Sequence, residues 1–477
     1  MSKPRIAPLA LAAALFTAGC ATLVPPTPTA EMGIVEQWPL PASTRTAVGL
    51  ASSATTGAVV ALPVADIGWR DFFADPKLDA LVETALVNNR DLRVAALNVE
   101  KARSQYRIQR ADRLPALGAI AQMERSGGDL PTTEAYTAGV GLSAFELDLF
   151  GRVRNLSEAA LQRYFATDEA RIGVQLSLIA EVANAYLTLA ADQDHWRVSK
   201  AMLATFEDSY RLAEKRHAIG AASALDLAQA KAELEGARGD VARYQGDVAR
   251  DTHALQLLTG MPLTAEQLPD GLQDGAIGLL PVPTGLPSEA LLRRPDVRAA
   301  EHRLLGASAN IGAARAAFFP SISLTGSVGA ISGELSDLFS AGTQAWSFVP
   351  RITLPIFQGG KLRANLAVAK VDRDIALAEY EKAIQAGFRD AADALVLSQT
   401  LAKQREAAQA QVNAAAYADT LARARHEAGR DSYLTRLVAQ RTLYGAQQGL
   451  IAVRQAEQAN RVALYRALGG GWSETGQ

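Results

Sequence analysis

Few residues in this chain can do covalent or acid–base chemistry. Its 477 residues include one cysteine and five histidines. One cysteine excludes an internal disulfide framework and any Cys-rich zinc or iron–sulfur site. His195, His217, His253, His302 and His426 are scattered without metal-ligand spacing. Gly139-Val140-Gly141 lacks the third glycine of a dinucleotide loop, and no Walker sequence is present. With 48 basic and 50 acidic residues the formal net charge is −2. That balance gives no basic stripe for nucleic acid. The expectation is a chain that is no enzyme and holds no metal or soluble cofactor.

The one distinctive chemical group is therefore the thiol of Cys20. Lys3 and Arg5 precede an apolar stretch from Ile6 to Phe16 and then small residues, the pattern of an export signal over 1–19. Thr17-Ala18-Gly19-Cys20 resembles a bacterial lipobox, with Thr17 where Leu is usual. The lipobox implies cleavage before Cys20 and a lipid cofactor on it, S-diacylglycerol on the thiol and N-palmitoyl on the new amine. Ala21, in place of an aspartate, points to outer-membrane lipid. The alternative is an ordinary signal peptide with an incidental cysteine. Residues 20–65, rich in Pro, Thr, Ala, Ser and Gly, read as an extended linker with little to bury. Ordered structure is expected near Trp69 and Phe72-Phe73.

Hydrophobic residues make up 49% of the chain but aromatics only 6%. The Ala-rich remainder suits close helix packing, and no run of 18 apolar residues follows the N-terminus. Five short segments recur in order. Asp91-Leu92-Arg93 matches Asp296-Val297-Arg298, and Leu114-Pro115 matches Phe319-Pro320. Leu147-Asp148-Leu149-Phe150 matches Leu354-Pro355-Ile356-Phe357. Arg216-His217-Ala218-Ile219-Gly220 matches Arg425-His426-Glu427-Ala428-Gly429, and Leu258-Thr259-Gly260 matches Leu468-Gly469-Gly470. The offsets drift from 205 to 210 without a jump. That pattern indicates one duplicated unit, with a first repeat at 66–261, a connector at 262–287, a second repeat at 288–471 and a tail at 472–477.

Each repeat starts with a helix, about 90–113 and 295–317, closed by Pro115 and Pro320. Period-two alternation then predicts strands in hairpins at about 116–148 and 321–357. Ile322, Leu324, Val328 and Ala330 share one face, as do Tyr136, Ala138, Val140 and Leu142. Trp346, Phe348, Ile352, Leu354 and Ile356 share another, and the strand from Leu117 to about Met123 is weaker. Two readings fit: a soluble sheet with one face buried, or a membrane barrel apolar towards lipid. Four strands cannot close a barrel, so a barrel would be shared between chains. Long helices follow at 151–217 and 361–426, each ~100 Å at ~1.5 Å per residue. Ile172, Leu176, Ile179, Ala183, Tyr186 and Ala190 step in a coiled-coil rhythm, as do Ile384, Phe388, Ala391 and Leu395. Gly220 and Gly429 suit left-handed caps. Return helices are expected at 224–259 and 432–468, with Ser223 and Asp431 as N-caps.

The sequence resembles the TolC/OprM-type outer-membrane efflux channels, close to the OprM branch of lipoproteins. The resemblance covers about 66–471 plus Cys20. It is carried by Glu181-Val182-Ala183-Asn184-Ala185-Tyr186-Leu187, Arg293-Arg294-Pro295-Asp296, the run from Gly312 to Ser321, and Ala467-Leu468-Gly469-Gly470-Gly471-Trp472. It implies a mostly α, α+β fold whose homotrimer forms a twelve-strand β-barrel and a twelve-helix periplasmic α-barrel. It further implies a passive exit duct for drugs or other small molecules. Its partners would be a periplasmic adaptor and an inner-membrane pump of the proton-driven RND type. Polypeptide export and a structural envelope coiled coil remain the alternatives.

The resemblance also assigns roles. The turns Gly220-Ala221-Ala222-Ser223 and Gly429-Arg430-Asp431-Ser432 would be adaptor-docking tips. Asp226, Leu434 and Arg441 would hold the closed periplasmic gate: Asp226 as an acidic ring, Leu434 as an apolar one, Arg441 paired across neighbouring helices. The plainer readings are helix-capping glycines and solvated helix charges. Family members commonly carry an acidic residue nine positions after the second tip glycine. Here that position is Val438, and the position six after is Thr435. The expectation is a more apolar constriction with weaker block by multivalent cations.

Overall fold

The computed structural model describes residues 23–28, 68–129, 131–272 and 288–470. Cys20, the export signal, most of the linker and the tail lie outside the described residues. The chain divides into two compact units. The first draws on 23–28, Leu97–Glu169 and Arg298–Ala383; the second on 68–96, Ala170–Val297 and the chain from Ile384 onward.

The described elements run in the same order twice. After two short helices, α1 (Trp69–Phe72) and α2 (Pro76–Asn88), come α3 (Arg90–Ala111), β1 (Leu117–Ser126), β2 (Thr133–Leu147), α4 (Arg152–Ala218) and α5 (Ala224–Thr259). Then follow α6 (Pro295–Ala316), β3 (Ser321–Ser332), β4 (Gln344–Thr353), α7 (Lys361–Glu427) and α8 (Tyr433–Ala467).

In the first unit the four strands form one antiparallel sheet in the order β1-β2-β3-β4. The period-two pattern sets its register. Val140 lies opposite Ala119 on one side and Val328 on the other, and Val328 lies opposite Trp346. One face is thus continuously apolar. The soluble-sheet alternative would bury it, but Leu117, Val140, Val328, Trp346, Phe348 and Ile352 are all exposed. Gly139 and Gly329 face each other across β2 and β3. A Cβ on Gly139 would sit 2.5 Å from the Val328 carbonyl oxygen, and one on Gly329 would strike that of Ala138. Side chains here would force the two backbones apart. Between Leu142 and Phe145 the register slips by one residue at a β-bulge.

Four expectations change. β4 ends at Thr353, so Leu354 and Ile356 lie beyond it, with Pro355 between them unable to donate to a ladder. β1 is a full strand through Ser126, its weak alternation compensated by pairing along its whole length with β2. The linker is not wholly without contacts. The Leu23 carbonyl accepts a 2.8 Å hydrogen bond from the Arg315 guanidinium, and Pro25 is buried. A Cβ on Gly312 would meet Val24 and Asn155 at 2.8 and 2.6 Å, which explains a glycine there. Finally, Ser432 and not Asp431 caps α8: its Oγ accepts from the Thr435 amide.

The second unit holds the main core. The coiled-coil positions Leu176, Ile179, Ala183, Tyr186 and Ala190 of α4 are buried, as are Ile384, Ala391 and Leu395 of α7. The most apolar window of α4 could cross a membrane by composition, but half of it is buried in this packing. Helix α2 closes over the core with Leu78, Leu81, Val82 and Ala85. Phe72 stacks on Tyr465 at 3.7 Å between ring centroids. The Tyr186 hydroxyl donates to Asp75 at 2.8 Å, and Asp75 also caps α2 through the Lys77 amide. Two of the motif segments meet here. Arg294 grips Asp296 through two hydrogen bonds of 2.7 and 3.0 Å and donates at 2.8 Å to the Ala467 carbonyl, at the end of α8. The buried guanidinium thereby satisfies a helix C-terminus that would otherwise leave carbonyls unpaired. Gly469, at φ +76°, lets the chain turn against Arg294.

Candidate functional site

Both proposed tips belong to the second unit. The first joins α4 to α5, the second α7 to α8. Each long helix ends in the same way. The Gly220 amide donates to the His217 carbonyl at 2.9 Å and the Ala221 amide to Arg216 at 2.8 Å. The Gly429 amide donates to His426 and the Arg430 amide to Arg425, both at 2.9 Å. This bond pair is the Schellman motif, which needs a left-handed residue. Gly220 has φ +74° and Gly429 φ +70°. Nothing lies within 4 Å of a Cβ built on either glycine. Backbone conformation, not crowding, accounts for glycine at both.

Beyond the glycines the tips differ. At the first, Ser223 and Asp226 form a reciprocal capping box. The Ser223 Oγ accepts from the Asp226 amide at 3.1 Å, and Asp226 Oδ2 accepts from the Ser223 amide and hydroxyl. At the second, Thr435 replaces Asp226 and the box is one-sided. Closure comes instead from Arg425, whose guanidinium donates twice to Asp431 at 2.7 and 2.9 Å. This pair holds the Asp431 carboxyl below its ordinary range. The corresponding residues of the first tip are Arg216 and Ala222, so Arg216 has no such partner and approaches His426 Nε2 at 3.3 Å. His426 in turn meets the Asp431 carbonyl at 3.1 Å.

Between the tips lies a cavity of about 260 Å³ lined by Arg216, Ala222, Asp226, His426, Asp431 and Tyr433 among others. Burial raises the Tyr433 phenol above its usual range. A small apolar cluster of Met202, Phe206, Ala237 and Leu437 fixes α4, α5 and α8 together. Tyr444 donates to Asp240 at 2.9 Å and Tyr244 to Gln448 at 2.8 Å, tying α5 to α8 in both directions.

Within one chain the four gate residues sit on two helices, Asp226 on α5 and the other three on α8. Asp226 is half-buried and spent as a cap. Leu434, Val438 and Arg441 lie on the exposed face of α8, opposite the buried Arg436, Leu437 and Gln440. Leu434 and Val438 are 52% and 55% exposed. Arg441 reaches Glu233 of α5 at 3.5 Å, a pairing of neighbouring helices within the chain. Sequence reasoning missed the Arg425–Asp431 clamp. Its signal was the i, i+6 spacing of opposite charges across a Schellman turn. Among the described residues no cluster of His, Cys, Asp and Glu is arranged to hold a metal.

These features can be set beside known proteins. The family model for outer membrane efflux proteins matches residues 81–261 and 286–470. The chain belongs to the outer membrane efflux protein family. Members of this family are channel proteins of the outer membrane, not enzymes. The toluene efflux pump outer membrane protein TtgC of Pseudomonas putida is 46% identical, over 98% of this chain and 96% of that relative. The probable outer membrane lipoprotein SilC of Salmonella typhimurium is 39% identical over 98% and 99%. The open state of the MtrE outer membrane channel of Neisseria gonorrhoeae superposes with a TM-score of 0.81 at 37% identity, covering 96% of this chain and all of that one.

Proposed function

We propose that this efflux protein is the passive outer-membrane exit duct of a tripartite pump. Three copies of one duplicated chain share a barrel of twelve strands and a periplasmic tube of twelve helices. The observation that carries the sharing between chains is the sheet itself. Its outer strands β1 and β4 have no further partner among the described residues, and its apolar face is uncovered. An unpaired apolar edge in lipid is untenable, and closure removes it.

The tips at Gly220–Ser223 and Gly429–Ser432 dock a periplasmic adaptor, which brings an inner-membrane RND pump into line. Leu434, Val438, Arg441 and Asp226 form the periplasmic constriction. Substrates are small apolar or amphiphilic molecules, solvents and antibiotics among them; the relationship to a toluene pump component supports this class. Acylated Cys20 anchors the mature chain in outer-membrane lipid, which the lipoprotein relative supports. The duct spends no energy of its own.

Purified protein in planar bilayers should give trimer-sized conductance steps. A deletion strain should lose solvent and dye tolerance while retaining protein secretion. Absence of conductance, or a secretion defect alone, would reject this reading. Cys20→Ser should abolish lipid labelling.

A further inference from the structure

The inner corner between the two repeats supplies a template for the joint between copies. Phe150, just after β2, stacks on Phe319, just before β3, with ring centroids 4.7 Å apart and planes 17° from parallel. The same corner holds the end of β2 in the sheet, with Leu147 opposite Ile322. A bidentate pair completes it, Arg152 to Glu146 at 2.9 and 2.5 Å.

The repeat offsets place Phe357 where Phe150 stands and Leu114 where Phe319 stands. Leu354 and Leu117 correspond in the same way to Leu147 and Ile322. None of these four is covered within the chain. Phe357 is 88% and Leu114 69% exposed, and Leu117 is 75% exposed. They flank the two unpaired strands, β4 and β1, that the trimer reading joins. The neighbouring Ile356 is likewise 92% exposed.

We infer that Phe357 of one copy packs on Leu114 of a second copy, repeating between chains the Phe150–Phe319 contact made within each chain. Leu354 then lies opposite Leu117 of that copy, so β4 extends beyond Thr353 only on assembly. The joint acts as an apolar latch at the barrel base. This inference rests on the trimer reading and adds the residues that close it. Replacement of an aromatic–aromatic stack by an aromatic–aliphatic contact makes the joint between chains the weaker of the two kinds of corner.

The test uses the full-length protein in detergent. With Leu114→Cys and Phe357→Cys combined, a short bifunctional maleimide should link chains into two- and three-chain species. Either substitution alone should give at least tenfold less. Benzoylphenylalanine incorporated at position 357 keeps an aromatic ring there and should photo-cross-link to a peptide containing Leu114–Leu117. Native mass measurement separates the two levels of the idea. A trimer whose photo-cross-links map elsewhere, or to lipid alone, overturns the latch and leaves the trimer standing. A monomer overturns both.

Discussion

Arg425 and Asp431 clamp the second hairpin tip with two parallel hydrogen bonds, while Arg216 and Ala222 occupy the same places in the first tip without a clamp. The two hairpin tips are therefore held by different chemistry. A capping box closes the first tip and an ion pair the second. Because the Asp431 carboxyl is held low by Arg425, the clamp is intact above the ordinary carboxylate value and is lost as pH falls through the lowered one. Asp431→Asn should speed amide exchange at residues 428–432 severalfold at neutral pH and leave residues 219–223 unchanged. Equal effects at both tips would show that the clamp does not act locally.

A second asymmetry lies in the sheet. At the β2 bulge Ala144 has φ +46°, the single non-glycine residue with positive φ among the described residues. Its amide is held by Thr325 Oγ1 at 3.2 Å. An L side chain in that region costs roughly 1–2 kcal/mol that glycine does not. Ala144→Gly should therefore raise stability by about 1 kcal/mol, less the entropy glycine loses on folding. Chemical unfolding midpoints would show it. A fall in midpoint would mean that the bulge geometry is held by more than this one residue.

A pair of carboxyls between α4 and α5 makes stability depend on pH. Burial, together with a hydrogen bond to Asp251, pushes Asp192 up to about 7. Asp247 adds repulsion and Arg250 opposes it. Between the ordinary value of 3.8 and about 7 the folded chain keeps a proton that the unfolded chain has lost. Stability from this site is thus full at low pH, falls as pH rises through that window and is flat above it. Asp192→Asn should flatten the unfolding midpoint between about pH 4 and 7. An unchanged slope would place the proton on another group.

The long helices, strand pairs and tip glycines were legible because each obeys a local rule: heptad spacing, period two, or a left-handed turn. Helix α2 had its own signal in Asp75-Pro76 and the spacing of Leu78, Leu81, Val82 and Ala85, but it lies outside the series of elements that recurs in the same order. Arg294 stood out as part of a motif, yet nothing local ties it to the Ala467 carbonyl 173 residues away. The capping role of Asp226 was similarly obscured. The family resemblance assigns it to a gate, while the Ser223-x-x-Asp226 box that engages its carboxylate is a shorter-range fact. The end of β4 at Thr353 departs from the alternation for a physical reason. Alternation continues through Ile356, but a strand exists only where a partner supplies the ladder.

The gate prediction follows from the exposed ridge of α8. Leu434, Val438 and Arg441 stand at i, i+4 and i+7, two apolar side chains followed by a cation. None of these three side chains is a carboxylate, and Asp226 of α5 is engaged through Oδ2 in its capping box. Rings of acidic side chains are what draw multivalent cations into a pore. The wild-type trimer should accordingly resist block by a trivalent cation in single-channel recordings. In the proposed trimer, Val438→Glu would place three carboxylates at the proposed constriction. Each attracts a trivalent ion with an energy that grows as the site excludes water. Block should then appear at a cation concentration at least tenfold lower, and added salt should relieve it. Leu434→Glu, one turn nearer the tip on the same face, should act in the same direction. If wild type is already blocked as readily as Val438→Glu, the constriction is lined by other residues and α8 presents a different face to the pore.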